Sequence, residues 1–164
     1  MAERGALVTI TAGTSPVRVM DGRVWAVLVD APRPTRFVAT AEEGAIRFAD
    51  RSTGRLLYAP SPEPFTQLAL APPGEQPELS RWILRDADGA PVERLTASGL
   101  YTLELAGTGE HLGRYFHEEI TLLPKKLVLL PAGVQPPRLA LSVLTPDTTP
   151  HAGVAGRSGA DARA

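Results

Sequence analysis

The chain has 164 residues with 17 basic and 18 acidic side chains, a net charge of -1, and no cysteine. That balance gives no electrostatic reason to expect nucleic acid or an anionic membrane as partner. The missing cysteines exclude disulfides, thiolate nucleophiles and Cys-ligated zinc. No apolar run approaches the ~18 residues a membrane span needs. The N-terminus, MAERGALVTITAG, does not read as a signal peptide, so a cytoplasmic protein is expected, with unconventional export the alternative. Lys125 and Lys126 are the only lysines and the other basic residues are arginines, which together with 15 Gly and 16 Pro fits the codon usage of a GC-rich genome.

In chain order the sequence repeats one plan three times. A first segment alternates apolar and polar residues shortly after a glycine: Val8-Thr9-Ile10 after Gly5, Ile46-Arg47-Phe48 after Gly44, Tyr101-Thr102-Leu103 after Gly99. That alternation is the mark of a half-buried strand. A second, short segment follows at Val17 to Val19, Arg55 to Tyr58 and Glu110 to Arg114. A third, apolar, runs up to a proline: Trp25 to Val29, Gln67 to Ala71, Lys126 to Leu130. The fourth starts with arginine and an apolar residue, at Arg36-Phe37, Arg81-Trp82 and Arg138-Leu139. Gly and Pro punctuate each joint, and no stretch holds a helical period.

Twelve short strands in three units of four predict an all-β protein of the β-trefoil class, with six strands closing a barrel and three hairpins capping one end. A β-sandwich is the competing all-β arrangement. The expected domain is 1–145, with repeats at about 5–43, 44–98 and 99–145, followed by a disordered tail at 146–164 that lacks large apolar residues. Residues 86–97 read as a turn-rich linker. The expected core is Val8, Ile10, Trp25, Val27, Phe37, Ile46, Phe48, Leu68, Leu70, Trp82, Leu84, Tyr101, Leu103, Leu127, Leu129 and Leu141.

Few residues suggest chemistry. Gly107 to Gly113 (GTGEHLG) has the wrong spacing for a dinucleotide loop and no helix after it, so a hairpin turn is expected. His111, His117, Glu118 and Glu119 do not make a convincing metal set, and no Gly-x-Ser-x-Gly elbow accompanies the histidines. The reading is therefore a protein without enzymatic activity, metal or cofactor. The Gln-x-Trp signature of ricin-like trefoil lectins is absent after Gln67, Gln76 and Gln135. One loop stands out between the second and third strands of the last unit: Glu119, Ile120, Thr121, Leu122, Leu123, Pro124 and Lys125. Proline disfavours helical geometry in the residue before it, and an extended, preorganised segment loses little entropy on entering a protease cleft.

The stretch YTLELAGTGEHLGRYFHEEITLLPKKLVLLP is similar to the opening repeat of the fungal β-trefoil serine-protease inhibitors. Tyr101, Thr102, Gly113, Arg114, Glu118, Leu122, Pro124, Lys125, Leu130 and Pro131 carry the resemblance. Pro62 to Gln67 resembles part of that family's last repeat, with Trp82 at its closing strand. The repeat order is circularly permuted with respect to that family. The resemblance implies a monomeric serine-peptidase inhibitor acting through an exposed strand-connecting loop. In the family's trypsin inhibitors the residue before Pro-Lys is arginine; here it is Leu123, which suits a hydrophobic primary pocket, while Lys125 would serve a trypsin-like one only in a shifted register. Ser61, Pro62, Glu63, Pro64 and Phe65 form a second candidate loop. The alternative function is a non-catalytic module that binds carbohydrate or a protein partner.

Overall fold

The computed structural model describes residues 5–28, 33–115 and 123–147. Alternating apolar positions produce thirteen strands: β1 (Ala6–Ala12), β2 (Ser15–Met20), β3 (Arg23–Ala26), β4 (Phe37–Glu42), β5 (Ala45–Asp50), β6 (Leu57–Tyr58), β7 (Ala69–Leu70), β8 (Trp82–Arg85), β9 (Pro91–Val92), β10 (Gly99–Leu105), β11 (His111–Arg114), β12 (Lys125–Leu130) and β13 (Leu139–Thr145). A single 3-10 turn at Glu78–Ser80 accompanies them, and no α-helix occurs among the described residues.

Six antiparallel pairings close a barrel. β1 pairs β4, β4 pairs β5, β5 pairs β8, β8 pairs β10, β10 pairs β13, and β13 returns to β1. Closure gives each of the six barrel strands a neighbour on both sides. The three remaining hairpins, β2–β3, β6–β7 and β11–β12, form the cap. They touch one another through Lys126↔Trp25, Arg23↔Ala69 and the bridge Gln67↔Val128. Twelve of these strands overlap the twelve predicted segments, and the chain is an all-β β-trefoil.

Local chemistry sets the turns. Asp21-Gly22 and Glu43-Gly44 both sit at positive φ (54° and 75°, 51° and 83°). This is the two-residue hairpin turn whose twist matches the flanking strands. The alternation then delivers one face of each barrel strand to the interior: Ala6, Val8, Ile10 and Ala12 from β1, Phe37 and Ala39 from β4, Ile46 and Phe48 from β5, Trp82 and Leu84 from β8, Tyr101, Leu103 and Leu105 from β10, Leu139 and Leu141 from β13. Small alanines share the barrel with Trp82 and with Phe37 and Phe48, which meet edge to face at 6.4 Å. Each large side chain contributes roughly 1.5–3 kcal/mol by leaving water.

Three expectations need correction. Trp25 is only half-buried: the strand places Val24 and Ala26 inward, and Trp25 pairs instead with Arg18 and Lys126 on the other face. A one-residue error in register moves every side chain of a strand to the opposite face. Residues 86–97 are more than a linker. Asp86 caps a turn by accepting from the N–H groups of Asp88 and Ala90, β9 folds back on β8, and Leu95 is fully buried in the core. At the start of the expected tail, Asp147 is buried and its N–H donates to the Leu95 carbonyl at 2.9 Å; the rest of that tail, 148–164, lies outside the described residues.

Candidate functional site

β11 and β12 form a stem paired from His111↔Leu130 to Arg114↔Leu127, and the Tyr115 N–H extends it by donating to the Lys126 carbonyl at 2.9 Å. β12 is buried at four consecutive positions, Leu127 to Leu130, because β11 flanks it and the 65–67 segment and β3 pack beside it. That explains its unbroken apolar run, which a strand with one wet face would not tolerate. The stem is thus anchored in the cap while its open end carries the candidate loop. Glu119, Ile120, Thr121 and Leu122, with His117 and Glu118, lie outside the described residues. Of the remainder, Leu123 is 71% exposed, the most exposed large apolar side chain among the described residues. Pro124 and Lys125 are half-buried, with Lys125 paired to Ala26 as β12 begins.

The second candidate loop sits against the same stem. The Phe65 N–H donates to the Leu129 carbonyl at 2.7 Å, the Leu129 N–H donates to the Thr66 carbonyl at 3.0 Å, and the Phe65 ring meets Tyr115 edge to face at 5.6 Å. Phe65 has φ of 65°, a conformation that costs an L-residue about 1–3 kcal/mol and persists only where surroundings enforce it. Here those three ties enforce it. Within the loop, Ser61 Oγ accepts from the Glu63 N–H at 3.1 Å, and Thr66 Oγ1 donates to the Glu63 carbonyl at 2.7 Å. The segment is therefore wound into a turn, with Pro62, Glu63 and Pro64 exposed. The two candidate loops lie far apart in sequence; the fold brings the base of one against the other.

The Gly107 to Gly109 stretch is the turn of the β10–β11 hairpin, as expected from its spacing. Next to it, burial pushes the Glu110 carboxyl above its ordinary pKa, and Glu110 Oε1 has no hydrogen-bond partner. Burial also pushes His111 below its ordinary value; Glu104 opposes that shift and Arg85 adds to it. Among the described residues no cluster of three or more His, Asp or Glu is placed to hold a metal ion.

No family model matches the chain, and no curated protein matches it in sequence. Solved structures do match in shape. The SDF2-like protein from Arabidopsis thaliana aligns with a TM-score of 0.61 at 9% identity, over 85% of this chain and 93% of that one. A designed three-fold symmetric protein, ThreeFoil, aligns with a TM-score of 0.61 at 14% identity, over 83% and 97%. The lysenin pore aligns with a TM-score of 0.58 at 14% identity, over 85% of this chain and 46% of that one. Similarity at this identity carries the β-trefoil fold and does not reach the fungal inhibitor family.

Proposed function

We propose that this β-trefoil inhibits a serine-type peptidase by presenting Leu123 to a hydrophobic primary pocket, acting as a monomer and performing no chemistry of its own. The observation that carries the proposal is the placement of Leu123: 71% exposed, immediately before Pro124, at the head of a strand whose next residues are paired on both sides. A large apolar side chain held in water is unfavourable unless a partner covers it. A fixed base also means that little ordering entropy is lost on binding. Pro124 has φ locked and no N–H. If the Leu123–Pro124 bond were cut, β12 would keep the new amine beside the carbonyl, which favours religation over release.

The 61–65 loop serves this reading as a buttress. A cleft-bound segment runs extended, whereas the internal hydrogen bonds of this loop wind it into a turn. The resemblance of 101–131 to the fungal inhibitors supports the same reading from the sequence side. The test is a residual-activity titration against trypsin, chymotrypsin and subtilisin. Inhibition of chymotrypsin or subtilisin that Leu123→Gly abolishes is the expected result. Inhibition lost only on Lys125→Ala would move the contact residue into a trypsin-like pocket. No inhibition of the three enzymes would overturn the proposal and turn attention to carbohydrate or protein ligands.

A further inference from the structure

A cleft of about 470 Å³ opens between the first and second repeats, lined by Arg18, Arg33, Arg36, Arg51, Asp50 and Ser52 together with Val19, Pro34 and Thr35. Among the described residues of the lining, four arginines face one aspartate, in a chain whose net charge is -1, so positive charge is concentrated here. Asp50 is buried, and its Oδ1 accepts from both the Ser52 N–H and the Ser52 hydroxyl, at 2.8 and 2.7 Å. Arg18 Nε is buried without a hydrogen-bond partner.

The walls are tied together. The Thr35 N–H donates to the Val17 carbonyl at 3.0 Å, Thr35 Oγ1 accepts from the Val19 N–H at 2.9 Å, and the Arg51 N–H donates to the Arg36 carbonyl at 2.9 Å. Strand β2, the β3–β4 connection and the turn after β5 therefore hold a fixed mutual position. The fold does not require Arg18, Arg33 or Arg51, and its own pseudo-symmetry shows it. Val17, Leu57 and Leu112 are the equivalent buried residues of the second strand in each repeat, and they are followed by Arg18, Tyr58 and Gly113. Arg36 has counterparts in Arg81 and Arg138 ahead of the fourth strand, but Arg33 has none in 72–80 or 131–137, and Arg51 has none in the turns at 13–14 and 106–109.

We propose that this cleft binds a small ligand carrying two or more phosphoryl groups, either free or as a lipid headgroup. Guanidinium forks pair bidentately with phosphate oxygens and stay charged at every relevant pH. The volume falls in the range of small-molecule sites, about 300–1,000 Å³. Calorimetric titration of the full chain with inorganic pyrophosphate, and co-sedimentation with phosphatidylcholine vesicles with and without phosphatidylinositol bisphosphate, test both sources. Arg33→Gln, an exposed position, is expected to weaken binding in the responding arm by about tenfold, Arg18→Gln by at least as much, and binding is expected to weaken with added salt. Arg138→Gln, outside the cleft, is the control. Binding in neither arm overturns the proposal, and so does binding that Arg138→Gln weakens as much as Arg33→Gln. The site shares no residue with the Leu123 segment, so either proposal can fail without the other.

Discussion

Replacing Trp82 with alanine removes the largest fully buried side chain among the described residues, one that also ties barrel to cap. Trp82 sits on β8 with Leu105 and Ile46 as cross-strand partners, and its Nε1–H donates to the Leu57 carbonyl in the β6 hairpin at 3.3 Å. Truncating a buried Trp costs about 3–5 kcal/mol. Leaving the Leu57 carbonyl buried and unpartnered adds about 1–3 kcal/mol. The sum is of the order of the whole stability of a domain this size, about 5–15 kcal/mol. Trp82→Phe keeps most of the volume and isolates the lost hydrogen bond, so it should cost far less. Urea titration followed by circular dichroism measures both, and a loss of 4 kcal/mol corresponds to a fall in Tm of at least ~8 °C. A Trp82→Ala protein that unfolds within ~1 kcal/mol of the parent would refute the packing argument.

Gly5→Ala should destabilise the protein by several kcal/mol in the same melts, because φ there is 92° and a Cβ would run into the Ala39 carbonyl across the β1–β4 pair. His111, held below its ordinary pKa by burial, binds protons less readily folded than unfolded. Its contribution is therefore complete above pH ~6.5 and is lost as pH falls below that value; His111→Gln should flatten the slope of stability against pH on the acid side of ~6.5. Pyrophosphate or phosphoinositide binding that Arg33→Gln weakens, with Arg138→Gln unchanged, is expected for the arginine cleft.

The fold was legible because its information is periodic. Val8-Thr9-Ile10 and its two counterparts alternate as strands must, and Gly and Pro mark the joints, so twelve of the thirteen strands could be placed. Trp25 was misassigned because both Trp25 and Val24 are apolar, and only the pairing of β3 with β2 and β12 decides which face turns inward. Leu95 and β9 were missed because DADGAPVERLTA is dominated by turn formers; a two-residue strand leaves no period to detect. For the candidate site, the proline and the apolar run singled out Leu123. The contact of Phe65 with Tyr115 joins residues far apart in sequence, and the arginine cleft draws on three separate segments against an arginine-rich background. Neither leaves a local pattern.

The proposed inhibition turns on Leu123 entering a protease pocket. The most direct measurement is the inhibition constant against chymotrypsin and subtilisin for the parent and Leu123→Gly, with circular dichroism to confirm equal folding. Withdrawing a leucine from a buried pocket forfeits roughly 1.5–3 kcal/mol, so the constant should rise by roughly 10- to 150-fold for at least one enzyme. A parent protein that inhibits neither enzyme, or inhibition unchanged by Leu123→Gly, would contradict the account.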